Sequence, residues 1–153
     1  MNFQSFQEVI GFAIEKEKEA AAFYTELAQK TSFAGVRKFL EEMAEEEKKH
    51  QIMLENLEKN KEALAGYKFN WVPDMKLSDY MVDLTYRDGM VYADILRLGM
   101  KREEQALRIY NDLQKKTENP EHMKLFKMLS QEEAKHKLFL ETLYDEEIAK
   151  QGG

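Results

Sequence analysis

Glu46-Glu47-Lys48-Lys49-His50 and, 86 positions further on, Glu132-Glu133-Ala134-Lys135-His136 are the stretches that decide how this chain of 153 residues folds. Each sets a glutamate and a histidine three residues apart, so both side chains lie on one face of a helix. In both copies that face is the one on which apolar residues recur. Val36, Leu40, Met43, Leu54, Leu57 and Leu64 surround the first copy at helical spacing, and Phe126, Leu129, Leu140 and Leu143 surround the second. A single Glu-x-x-His in a chain with 34% charged residues reads as a solvated face. Two copies in phase point instead to metal binding.

The match extends without a gap. The same shift of 86 lays Glu17 on Glu103, Tyr24 on Tyr110, Leu27 on Leu113, Lys30-Thr31 on Lys116-Thr117 and Leu54 on Leu140. Registered identity of this kind marks an internal duplication, and two similar halves related by a pseudo-twofold axis. Phe3, Phe6, Ile10, Ala13, Ala20, Tyr24 and Leu27 predict an amphipathic helix over about 3–30, and the second apolar series predicts another that stops at Gly66. Tyr92, Leu96, Gly99, Ala106, Tyr110 and Leu113 predict a third, capped by Asp88. Asn119-Pro120 supplies the N-cap and first position of a fourth. Short turns close these into helical hairpins over 3–65 and 89–149. Residues 66–88, with Trp71, Pro73 and a short helix expected from Ser78, form a long crossover whose Tyr67, Phe69 and Trp71 should cover the bundle. The expectation is an all-α four-helix bundle in one domain, residues 1–153.

What interrupts the four apolar stripes is acid and imidazole. Glu17 fills the gap in the first, Glu47 and His50 in the second, Glu103 in the third, Glu133 and His136 in the fourth. Equal residue counts on either side of each hairpin turn bring Glu17 level with Glu47 and Glu103 level with Glu133, because a helix rises about 1.5 Å per residue. A twofold axis then brings all six to one level, provided the second and third helices run parallel. The crossover must in that case travel the length of the bundle, roughly 40 Å, which some 20 extended residues can do. Four buried carboxylates repel one another, and an unpaired buried charge costs several kcal/mol. Two divalent cations would neutralise them, each with one histidine nitrogen. Mixed carboxylate and imidazole donors suit iron or manganese and also admit zinc.

Other residues have blander readings. Tyr24 and Tyr110 lie two turns beyond Glu17 and Glu103 on the same faces, where a phenol either donates to a metal-bound carboxylate or fills the core. Glu46 and Glu132 sit beside the predicted ligands on a less buried face and suit surface or supporting roles. His122 is expected on the surface, and the nine methionines in the core. A net charge of −6 and a pI near 5.2 argue against a nucleic-acid partner. The absence of cysteine excludes thiolate ligands and any rubredoxin-type centre within this chain. With neither a signal-peptide pattern nor a membrane-spanning run, the expected location is the cytoplasm.

The motifs Glu17…Tyr24, Glu46-Glu47-Lys48-Lys49-His50, Glu103…Tyr110 and Glu132-Glu133-Ala134-Lys135-His136 strongly resemble the rubrerythrin branch of the ferritin-like superfamily, over nearly the whole chain apart from the crossover. The donor set is the one known from di-iron and di-manganese carboxylate bundles. The resemblance implies a ferritin-like fold with a non-haem centre of two Fe ions that reacts with peroxide or dioxygen, and two tyrosines near the iron ligands. Two departures stand out. Without a rubredoxin module, electrons must come from a separate donor. The further glutamate that rubrerythrins carry one turn after the third-helix ligand is missing, Ala106 and Leu107 standing there. The leading expectation is a di-iron oxidoreductase. The alternatives are an iron-handling, ferroxidase-type protein and a structural bundle holding a non-redox metal. A homodimer is compatible with either reading.

Overall fold

The computed structural model describes residues 6–70, 72–77 and 90–152, and the regular structure among these residues is helical. Helices α1 (Phe6–Lys30) and α2 (Ala34–Glu55) make the first hairpin; a short α3 (Lys61–Ala65) follows; α4 (Tyr92–Lys116) and α5 (Pro120–Gly152) make the second hairpin. The N-terminal start of α5 is the one its sequence predicts: Asn119 Oδ1 accepts from the backbone N–H groups of Glu121 (2.9 Å) and His122 (3.1 Å), with Pro120 at the first position. Val91 precedes α4, while Asp88, Trp71 and the segment from Ser78 fall outside the described residues.

The second helix departs from expectation. Its apolar series continues to Leu64, which is buried, but α2 ends at Glu55 and a 3₁₀ turn at Leu57–Lys59 precedes α3. Two asparagines lie at the break. The Asn56 side chain donates to Ile52 O (3.1 Å), and that of Asn60 reaches the carbonyls of Met53 (3.0 Å), Asn56 (3.2 Å) and Leu57 (3.4 Å). The Asn60 amide thus takes carbonyls that a continuing helix would give to its own backbone, whereas Ile52 O still accepts the Asn56 backbone N–H (3.1 Å).

Contacts across the bundle fix the direction of each helix. Tyr24 meets Glu103 while Tyr110 meets Glu17, so α1 and α4 are antiparallel; His50 meets Glu133 while His136 meets Glu47, so α2 and α5 are too. Since each hairpin is also antiparallel, α2 and α4 run parallel, as the predicted axis requires. The core falls into two buried clusters. One contains Tyr24, Leu27, Leu40, Met43, Leu96 and Leu140; the other contains Tyr110, Leu113, Phe126, Leu129, Ile10 and Leu54. The shift of 86 carries each of these residues into the other cluster, with the acid and imidazole layer between them.

The described part of the crossover, residues 66–70 and 72–77, breaks this symmetry because it lies along α5. Tyr67 and Phe69 pack on the second cluster, as expected. Gln131 donates to Tyr67 Oη (2.8 Å) and Lys68 O (2.9 Å) and accepts from the Asn70 N–H (2.7 Å). Further on, buried Lys137 pairs with Asp74 (2.6 Å), and both oxygens of fully buried Glu141 accept backbone N–H groups, from Met75 (3.3 Å) and Leu77 (3.1 Å). Lys76 between them adopts φ 57°.

Candidate metal centre

The six residues that interrupt the apolar stripes converge at mid-bundle, each at most 4% exposed. They form two overlapping sets whose donor atoms all lie within 4.8 Å of one another: Glu17, Glu47, His50 and Glu133 in one, Glu47, Glu103, Glu133 and His136 in the other. Glu47 and Glu133 belong to both sets. Both imidazoles present Nδ1. That of His50 is 2.9 Å from Glu133, 3.4 Å from Glu47 and 3.6 Å from Glu17; that of His136 is 3.0 Å from Glu47 and 4.0 Å from Glu103 and Glu133. The rings face each other at 6.3 Å with 20° between their planes.

Protein partners alone leave this layer unsatisfied. Glu17 Oε2, Glu47 Oε2, Glu103 Oε2 and Glu133 Oε2 are buried without a hydrogen-bond partner. Burial and mutual repulsion raise the pKa of Glu17, Glu47 and Glu133, and that of Glu103 most strongly. Burial acts to lower both histidines, but surrounding glutamates, Glu133 first for His50 and Glu46 first for His136, carry them well above their usual value. Clustered, orphaned, hard oxygen donors with two imidazoles are what a pair of divalent cations requires.

Supporting contacts surround the six. Tyr24 donates to Glu103 and Tyr110 to Glu17, so each phenol spans α1 and α4 to hold a carboxylate from the other hairpin. Burial and then the neighbouring carboxylate push both phenols well above their usual range, so they remain donors. Glu46 reaches His136 Nε2 at 2.7 Å. Its counterpart Glu132 is bound by the Tyr67 hydroxyl (2.6 Å) and Lys135 (2.8 Å) instead. Tyr67, Gln131, Lys137 and Glu141 carried no signal as functional residues, because their contacts depend on the path of the crossover. The regular spacing of Glu133, Lys137 and Glu141 along one stripe was the available hint. His122 is not a free surface residue: it stacks on Phe6 at 6.4 Å and pairs with Glu58 at 3.2 Å.

A cavity of about 20 Å³ lies in the seam between α1 and α4, with Ala13, Ala20 and Ala106 along it and Glu17, Glu103 and Glu133 at its buried side. It has room for roughly one water-sized molecule. Ala106 is part of its wall.

This architecture is that of a ferritin-like helical bundle with a buried carboxylate and histidine cluster at its centre. Residues 8–144 match the sequence profile of the rubrerythrin family, and the chain belongs to that family. A solved structure of a hypothetical protein from Pyrococcus furiosus is similar, with 27% identity, 93% of this chain and 89% of that chain covered, and a TM-score of 0.69. No protein of curated function matches. No described helix is long and apolar enough to cross a membrane.

Proposed function

We propose that this protein is a di-iron carboxylate oxidoreductase that reduces peroxide or dioxygen with electrons from a separate donor. The observation that carries this reading is the pair of overlapping buried donor sets sharing Glu47 and Glu133, with an oxygen of each carboxylate unpartnered. Four carboxylates balance the charge of two divalent ions, so a centre of Glu17, Glu47, His50, Glu103, Glu133 and His136 is neutral with both imidazoles uncharged. Two ferrous ions held there would supply the two electrons that cleave the O–O bond of hydrogen peroxide, which with two protons yields two waters.

The chain's own groups prepare that chemistry. Tyr24 and Tyr110 fix the terminal carboxylates Glu103 and Glu17, and Glu46 orients His136. The apolar clusters on both sides exclude bulk water, and the small seam cavity, which reaches Glu17, Glu103 and Glu133, is the proposed approach for the oxidant. Anaerobic titration of metal-free protein with ferrous iron, then mixing with peroxide or air, tests the proposal. Two irons per chain and a new near-ultraviolet ferric absorption, discharged by repeated addition of reductant, are expected. Binding without oxidation would replace this reading with a structural metal, and net ferric accumulation would replace it with iron handling.

A further inference from the structure

The pseudo-twofold relation holds for the six inward donors but fails one layer out. Glu46 and Glu132 occupy equivalent positions, each preceding a shared glutamate and four residues before a histidine. A carboxylate only accepts, so Glu46 at 2.7 Å from Nε2 of His136 holds the proton on that nitrogen and leaves Nδ1 facing the centre. The equivalent service to His50 falls to Glu132. Oε2 of that carboxylate is engaged elsewhere, by the hydroxyl of Tyr67 at 2.6 Å and by Lys135 at 2.8 Å.

Tyr67 is held in place by more than this bond. Its hydroxyl accepts from Gln131, its ring packs edge-on against Phe69 at 5.0 Å, and Gln131 also binds the backbone at Lys68 and Asn70. Among the described residues no such clamp is seen on α2. The position matching Gln131 is Glu45, an exposed residue paired with Lys48 at 3.2 Å.

Resting on the di-metal reading above, we infer that the crossover makes the two metal positions unequal: Tyr67 draws Glu132 away from His50, while Glu46 supports His136, so the His136 position binds its ion more tightly. Glu46 and Tyr67 are positioning residues, acting through the histidines rather than on the metal. Loss of such an outer partner lowers metal affinity by about 10–100-fold. The two positions should therefore differ by about that factor beyond any mutual repulsion of the ions, which would separate the binding steps in a symmetric centre too.

The test is an anaerobic titration of the metal-free chain with cobalt(II), followed by calorimetry and visible absorption, in the wild type, Glu46→Gln and Tyr67→Phe. Glu46→Gln is expected to weaken the first step by tenfold or more and leave the second in place, merging the two. Tyr67→Phe is expected to tighten the second step by about tenfold and leave the first unmoved. If Tyr67→Phe moves neither step, or both alike, the inference is wrong, whereas a wild-type chain that takes up fewer than two ions overturns the di-metal reading itself. Unchanged far-ultraviolet circular dichroism and melting of the metal-free variants exclude misfolding as the cause.

Discussion

Glu47 is 1% exposed, with Oε2 unpartnered and Oε1 3.0 Å from His136 Nδ1, so it contributes opposite terms to the metal-free and loaded protein. Glu47→Gln removes a charge from the repulsive layer and also removes a donor shared by both positions. Its metal-free form should melt higher, by the equivalent of about 1–3 kcal/mol, while bound metal falls below two ions per chain; a lower melting point would show that the layer is not repulsive. Ala106 offers a separate probe, because it lines the seam cavity without being one of the inward donors. Ala106→Ile should leave iron stoichiometry at two and slow the reaction with peroxide by tenfold or more, measured by stopped-flow absorption. An undiminished rate would place oxidant entry elsewhere. Gly99 tests packing alone: a Cβ there would sit 3.0 Å from both Leu140 Cδ1 and Phe23 Cε1, although the helix itself would favour alanine by about 1 kcal/mol. Leu140 is fully buried and cannot yield, so Gly99→Ala should be net destabilising by about 1 kcal/mol. Phe23→Leu in the same chain should recover part of that loss in a denaturant titration.

At the scale of the element, the hairpins and the helix faces were legible because one rule, the three-and-four spacing, acts locally and is repeated 86 residues later. Glu17, Glu47, His50, Glu103, Glu133 and His136 stood out for the same reason, as polar residues at positions where the period calls for apolar ones. The end of α2 was hidden because its apolar period persists through Leu64, and only the Asn60 side-chain hydrogen bonds interrupt the backbone. The different fates of Glu46 and Glu132 were hidden for another reason. Identical local sequence cannot show that a segment 65 residues away, at Tyr67, will claim one of the two. The Glu141 clamp on the crossover is another of these distant contacts. Glu141→Leu would leave the Met75 and Leu77 N–H groups without their acceptor, and buried Lys137 with Asp74 as its remaining carboxylate. A loss of about 2–3 kcal/mol is expected by thermal denaturation, together with faster amide exchange at residues 72–77. A variant that exchanges there at the wild-type rate would show that Glu141 does not hold the crossover.

For the whole molecule, the raised carboxylates and histidines fix the sign of the pH response. The four glutamates lie above their usual 4.5 and both histidines above 6.5 in the folded, metal-free protein. The folded chain then binds more protons than the unfolded chain at pH values between those ordinary figures and the raised ones, and its stability falls as pH rises. Metal-free protein should therefore melt at a lower temperature at about pH 8 than at about pH 5. Glu46, Glu132 and Asp74, held below their usual values, act in the opposite sense at the acid end and set a lower limit to that gain. Metal displaces these protons, so its affinity should rise over the same interval as the metal-free melting point falls. Opposite slopes in the two titrations are the expected signature, and parallel slopes would mean that the ions bind elsewhere.

The charged layer also divides the two apolar clusters from each other. Without a cation, each cluster is bounded on one side by groups that repel, and the halves are joined mainly by the helices that pass through both. Cooperativity is then a property conferred by loading: metal-free protein is expected to open in parts, with graded amide exchange and a broad melt, and metal-bound protein to unfold in a single sharp transition. The ions that equip the bundle for redox chemistry would also make its two half-cores fold and melt as one body.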